Sequence, residues 1–203
     1  MDPKRALKQL NELKKDNKEM RLAAEKWEND WQTLASIILS ARTRDEVTIE
    51  VCIKLFKKYP TSKELAKLNL ANVKKLIGSV NFFKNKSKNI LACAKEIEKD
   101  YLGIVPRDFE KLISLPGVGR KTANVFLAEF GGSNIGVDTH VSYISQYLGW
   151  ANSDKQEVIE NQLKELFPKS KWKELNSILV TFGKTYTSKH KKNFILEEIK
   201  KII

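Results

Sequence analysis

Apolar residues recur along this chain at intervals of three and four rather than two. Leu34, Ile37, Ile38 and Ala41 follow one helical face, Val51, Leu55 and Tyr59 a second, and Val73, Leu76 and Ile77 a third. Alternating, strand-like runs are nearly absent, so the spacing predicts an all-α protein. Breaks fall at Pro60-Thr61-Ser62, around Asn81 to Asn85, from Gly103 to Pro106, through Leu115-Pro116-Gly117-Val118-Gly119, at Gly131-Gly132-Ser133-Asn134, near Asn152-Ser153-Asp154 and at Pro168. They divide the chain into about ten short helices. Thr61-Ser62-Lys63-Glu64 and Ser153-Asp154-Lys155-Gln156 read as helix starts, where a side-chain oxygen meets an otherwise unpaired backbone N–H. No flexible linker, low-complexity tract or internal repeat interrupts the pattern.

The chain has 203 residues, enough for one domain or two small lobes packed on a shared core. Lys and Arg total 37 against 25 acidic residues, a formal charge of +12, which points to a polyanionic partner. Two cysteines, Cys52 and Cys93, lie far apart in apolar helical patterns with no metal-binding or disulfide spacing, and read as buried thiols in a reducing compartment. The amino-terminal stretch, Met1 to Met20, is charged throughout and lacks the apolar core of a signal peptide. No segment approaches the ~18 apolar residues that span a bilayer. The expectation is a soluble intracellular protein with no membrane partner.

The most informative run is Leu115-Pro116-Gly117-Val118-Gly119-Arg120-Lys121-Thr122-Ala123, followed by Val137-Asp138-Thr139-His140-Val141. Proline without an N–H and two glycines free to take positive φ let the chain turn within a few residues and open a helix near Arg120. Backbone N–H groups of the turn, together with the positive end of the following helix dipole, form a phosphate site that reads no base sequence. Phe109, Leu112, Ile113 and Leu115 before the turn, and Val125, Phe126 and Leu127 after it, supply the apolar faces that pack the two helices as a helix-hairpin-helix.

With these two runs the sequence resembles the endonuclease III branch of the helix-hairpin-helix DNA glycosylases. The similarity extends roughly from Asp30 through Gly183 and includes Ile38-Leu39-Ser40-Ala41, Asn85-Lys86-Ser87-Lys88-Asn89-Ile90 and Val105-Pro106. The resemblance implies a two-lobed all-α fold with DNA crossing between the lobes. A six-helix barrel would span residues 25–132, and residues 1–24 and 133–203 would form the second lobe. It implies Lys121 as a Schiff-base nucleophile and Asp138 as the catalytic aspartate, in a monomer acting on double-stranded DNA with a damaged base or abasic site. The Lys121 amine must be neutral to attack; Arg120 and the helix N-terminus disfavour its ammonium form while Asp138 favours it.

The resemblance also assigns further contacts. Leu115, Gly117, Val118, Gly119 and Arg120 would touch the DNA backbone. Phe82 falls where the family places an apolar wedge and Arg42 where it places a glutamine plug, and both differ in type. Lys84, Lys86 and Lys88 surround the same loop and could hold phosphates. His140 reads as a hydrogen-bonding residue at a helix start, near the DNA. The largest departure is carboxy-terminal. The family's four-iron cluster cysteines would fall at about Thr187, Phe194, Glu197 and Ile203, and none is cysteine. The expectation is therefore no cofactor and no metal. The tail would instead be secured by Phe194, Ile195, Leu196, Ile199, Ile202 and Ile203 packing as an amphipathic helix.

Three functions fit this reading. The leading one is a glycosylase and abasic-site lyase that removes oxidised pyrimidines. A uracil or thymine mismatch glycosylase of the same superfamily is the nearest alternative, prompted by Arg42 and Phe82. A non-catalytic DNA-binding module would need only the hairpin and the positive charge.

Overall fold

Asn29 starts the first helix of the larger unit by accepting a hydrogen bond from the Gln32 N–H at 3.0 Å. That structure, a computed structural model, describes residues 1–15 and 20–203; residues 16–19, within the charged amino-terminal run, lie outside the described residues. The described residues fold into twelve α-helices and one 3-10 turn with no strand, as the periodicity predicts. They divide into two compact units, Arg21–Leu127 and the pair of segments Met1–Met20 and Ala128–Ile203.

In the first unit, helix α2 (Asp30–Ser40) is buried from Trp31 through Leu39, so its polar residues need internal partners. They have them: Gln32 Nε2 donates to Pro60 O at 3.2 Å and Ser36 Oγ to Thr33 O at 2.8 Å. Helix α3 (Asp45–Lys58) packs on α2. The short helices α4 (Ser62–Ala66) and α5 (Leu70–Leu76) pack on α6 (Phe83–Tyr101). The capping box expected at Thr61 is present, with Glu64 reaching back to the Thr61 N–H. Helix α6 turns Ile90, Cys93, Ala94 and Ile97 inward, all fully buried. Burial of Ile90 or Ile97 contributes about 1.5–3 kcal/mol each. The same burial pushes the Cys52 and Cys93 thiols up to about 12. Helix α7 (Phe109–Ser114) and the start of α8 (Arg120–Glu129) complete the unit.

The other unit holds α1 (Pro3–Lys15), α9 (Thr139–Tyr147), α10 (Gln156–Leu166), a 3-10 turn (Lys169–Lys171), α11 (Trp172–Thr185) and α12 (Lys189–Lys200). Helix α11 packs on both α1 and α9. Two sequence expectations fail here. Helix α10 starts at Gln156 with no side-chain cap; Ser153 Oγ instead accepts from the Lys155 N–H at 3.1 Å, within the preceding loop. In α12 only Leu196 and Ile199, one turn apart, are buried, whereas Phe194 is 66% and Ile203 87% exposed. Phe194 lies about 200° round the helix from Leu196 and so faces away from the core.

The tail is held mainly by α1. Arg5 Nε donates to Ile202 O at 2.8 Å and its Nη2 to Lys200 O at 2.6 Å, while Lys8 Nζ donates to Ile203 O at 2.8 Å. Buried Gln9 donates to Ile199 O at 3.3 Å and accepts from Trp150 Nε1 at 2.7 Å. Arg5 thus satisfies the Lys200 carbonyl at the negative end of α12, Gln9 the Ile199 carbonyl, and Arg5 and Lys8 hold Ile202 and Ile203 beyond the helix.

Candidate active site

The hairpin is built as its residue types require. Leu115 and Val118 are buried, at 2% and 6% exposure, with the Val118 N–H bonded to Leu115 O at 3.1 Å. Their side chains anchor the turn in the core, so any contact they make with DNA is through their backbone. Gly117 sits at φ +81, and a Cβ there would lie 2.8 Å from Asn89 Cβ on α6, so neither its conformation nor its surroundings admit a side chain. Gly119 differs: its φ is not positive and nothing lies within 4 Å of where a Cβ would stand. One glycine lets the hairpin fold, and the other leaves it open to approach.

Helix α8 begins immediately behind this opening. Lys121 stands half-buried in its first turn, and the Arg120 guanidinium lies 5.1 Å from the centre of the Phe109 ring. Leu112, Val125, Phe126 and Leu127 are buried as the pattern predicted, whereas Phe109 is half-buried and Ile113 is 37% exposed.

Asp138 belongs to the other unit, where it is the N-cap of α9. Its Oδ1 accepts from the His140 and Val141 N–H groups, both at 2.9 Å. Oδ2 takes no hydrogen bond from the described residues. The cap therefore fixes the carboxylate through one oxygen and leaves the second for other work. The His140 ring packs against α11 at Gly183, where a Cβ would overlap the imidazole. His140 is thus half-buried and helps seat α9 on α11, a role its sequence position does not disclose.

Around Phe82 and the first turns of α6 the expected contacts separate. Arg42 and Phe82 are both exposed, both take left-handed backbone (φ 54 and 59), and the guanidinium lies 5.7 Å from the ring centre. Lys84 and Lys88 are exposed on α6. Lys86 is not: it is 7% exposed, and its Nζ donates to Leu39 O at 2.7 Å, Ala41 O at 2.5 Å and Thr43 Oγ1 at 3.0 Å. Burial lowers its ammonium to about 8. The expectation that Lys86 holds phosphate is corrected. It lies four residues before Ile90, on the inward face of α6, and that helical phase is the signal that could have found it. Asn81, which sequence reasoning passed over, donates from Nδ2 to Arg42 O at 2.7 Å, and its N–H reaches Thr43 Oγ1 at 3.2 Å.

The four positions where a family iron-sulfur cluster would be ligated carry a hydroxyl, a phenyl ring, a carboxylate and an isoleucine, at Thr187, Phe194, Glu197 and Ile203. That donor set does not fit an iron-sulfur cluster. Among the described residues no group of three or more His, Cys, Asp or Glu side chains is arranged to hold a metal, and no helix is long and apolar enough to cross a membrane.

An all-helical chain carrying a glycine hairpin ahead of a lysine defines a helix-hairpin-helix class of protein. The sequence profile of the HhH-GPD superfamily base excision DNA repair proteins matches residues 35–169. Endonuclease III of Thermotoga maritima is 40% identical over 155 residues, covering 76% of this chain and 73% of that protein. Endonuclease III of Bacillus subtilis is 38% identical over 160 residues, covering 77% and 72%. The solved structure of a trapped endonuclease III–DNA covalent intermediate superimposes with a TM-score of 0.84 at 32% identity, over 93% of this chain and 89% of that one. The chain belongs to the HhH-GPD superfamily and, within it, to the endonuclease III family of base-excision DNA glycosylases and abasic-site lyases.

Proposed function

We propose that this protein removes oxidised pyrimidines from double-stranded DNA and cuts the strand at the resulting abasic site, with Lys121 as nucleophile and Asp138 as the assisting carboxylate. The observation that carries the reading is Lys121 in the first turn of α8, directly behind a hairpin whose second glycine faces open space. The similar solved protein was trapped in a covalent intermediate with DNA, which supports covalent rather than purely hydrolytic chemistry.

The hairpin N–H groups hold a phosphate of the damaged strand, and the damaged nucleotide turns out of the stack. Lys121, having lost its ammonium proton, attacks C1′; the C1′–N bond breaks and its electron pair leaves with the base, which takes up a proton. Opening of the sugar ring then gives an iminium between Nζ and C1′. That iminium acidifies C2′, so loss of a C2′ proton expels the 3′ phosphate by β-elimination. Water hydrolyses the imine and restores the lysine. Asp138, through Oδ2, stabilises positive charge developing on the sugar and receives the proton from the nucleophile. Arg42 and Phe82 enter the duplex where the nucleotide has left. The chemistry needs no metal, and the protein works as a monomer without an iron-sulfur cluster, its tail held by Arg5, Lys8 and Gln9 instead.

The experiment is product analysis on duplexes carrying thymine glycol, 5-hydroxycytosine, uracil, a G·T mismatch or a bare abasic site. Release of the oxidised pyrimidines with a 3′ unsaturated aldehyde end, abolished in Lys121→Ala, is expected. Preference for uracil or the G·T mismatch would replace the substrate assignment with the mismatch alternative, and binding without cleavage of any duplex would replace the enzyme with a DNA-binding module.

A further inference from the structure

Arg42 and Phe82 both stand in backbone that glycine adopts at less cost. A left-handed non-glycine residue costs about 1–2 kcal/mol, and the position after a helix end such as that of α2 is one that glycine usually fills. Two such residues sit side by side here, exposed, with the guanidinium 5.7 Å from the ring centre. Their cost is explained if the side chains, not the turns alone, are needed.

Something must hold this arrangement. The last carbonyls of α2 end on a buried ammonium: Lys86 Nζ donates to Leu39 O, Ala41 O and Thr43 Oγ1. One donor goes to the last turn of α2, at Leu39, and two to the loop that carries Arg42, at Ala41 and Thr43, and no acidic side chain of the described residues pairs with Lys86. Thr43 Oγ1 also receives the Asn81 N–H, and Asn81 Nδ2 holds the Arg42 carbonyl at 2.7 Å. Phe82 follows in the chain, and its carbonyl accepts the N–H groups of Asn85 and Lys86, both at 3.1 Å. One lysine, one threonine and one asparagine thus tie the end of α2 to the start of α6. A buried cation without a counter-charge is expensive, and an apolar side chain would fill the space at lower cost, so the network's value lies in the geometry it imposes.

We propose that Lys86 is a positioning residue that sets Arg42 and Phe82 as one two-pronged element, which enters the duplex and senses the base opposite the lesion. This rests on the reading that the protein acts on damaged duplex DNA. Lys86 itself touches no substrate. It acts through the loop, and the loop sets opposite-base selectivity.

Lys86→Met keeps the length of the side chain and removes its donors. The probes are an abasic site in a duplex against each of the four opposite bases, the same oligonucleotide single-stranded, and a duplex with a stable abasic analogue opposite 2-aminopurine. In Lys86→Met, duplex cleavage should fall about tenfold while single-strand cleavage holds. The spread among opposite bases should collapse to that of Arg42→Ala/Phe82→Ala, and the 2-aminopurine response should be lost. Added to that double variant, Lys86→Met should cost nothing more. Equal loss on single strand and duplex, or an unchanged opposite-base profile, would overturn the proposal and leave Lys86 a structural residue. If Lys86→Met does not fold, Asn81→Ala, at an exposed site in the same network, should flatten the opposite-base profile in the same direction, and an unchanged profile there is equally fatal. Should the wild type cleave nothing, the activity reading fails. The 2-aminopurine signal in wild type and Lys86→Met then still decides the positioning claim.

Discussion

Two glycines two residues apart separate folding from function in this hairpin. Gly117→Ala forces a Cβ onto left-handed backbone at φ +81 and brings it to 2.8 Å from Asn89 Cβ, an atom fixed to the α6 backbone rather than the end of a flexible side chain. The conformational cost is about 1–2 kcal/mol and overpacking adds about 1–3 kcal/mol, so stability should fall by about 2–5 kcal/mol. At 2–4 °C per kcal/mol for a chain of this size, the melting temperature should drop by roughly 4–20 °C. Gly119→Ala meets nothing within 4 Å and needs no positive φ, so it should be neutral or slightly stabilising in the free protein. If the hairpin N–H groups grip a phosphate as proposed, its methyl group would stand in the phosphate's path. Losing a hydrogen bond to a charged partner costs about 1.5–3 kcal/mol, a drop in affinity of about ten- to a hundredfold. Thermal unfolding and fluorescence anisotropy on a duplex with an abasic analogue, at one fixed salt concentration, read the two quantities. Wild-type affinity in Gly119→Ala would refute the hairpin as a phosphate grip. Wild-type stability in Gly117→Ala would refute the packing argument.

Other substitutions test other joints. Arg5→Ala removes two hydrogen bonds to the end of α12, so the melting temperature should fall by about 2–8 °C, and an unchanged value would show that the tail is secured elsewhere. Gly183→Ala would drive a Cβ into the His140 ring, costing about 1–3 kcal/mol by thermal unfolding, and His140→Ala should restore most of the loss. Cys52 and Cys93 are buried with thiols raised to about 12, so neither should react with iodoacetamide at pH 8 in the folded protein, while both should react in denaturant; rapid labelling in the native state would contradict the packing of α3 and α6.

The repeating apolar positions disclosed the all-helical class and the inward Val51 and Leu55 of α3, and the Thr61-Ser62-Lys63-Glu64 run its capping box, because each is a local pattern. The hairpin was legible for the same reason: Pro116, Gly117 and Gly119 have few other uses in that order. The face expected through Ala41 is not borne out, since α2 is buried all round and Ala41 lies exposed beyond its end. What stayed hidden depends on contacts far apart in the chain. Lys86 sits in an alternating lysine run that looks like a solvated face, and only its phase against Ile90 marks it as inward. The meeting of Arg42 with Phe82 joins residues forty positions apart, and Asn81 and Thr43 carry no pattern at all. At the tail, hydrophobicity was a poor guide. Phe194 faces out, and Arg5 and Lys8, ordinary surface cations by sequence, hold the tail through Lys200, Ile202 and Ile203. Asp138 shows the opposite case, in which a bland role and a chemical one coexist: one carboxylate oxygen caps α9 and the other is left over.

Borohydride trapping followed by peptide mapping tests the central claim most directly. With an abasic duplex and sodium borohydride, the wild-type protein should form one covalent DNA adduct. Digestion and mass spectrometry should place the reduced crosslink on Nζ of Lys121, and Lys121→Ala should yield none. A crosslink mapped to another lysine, or an adduct that persists unchanged in Lys121→Ala, would contradict the assignment of Lys121 as the nucleophile.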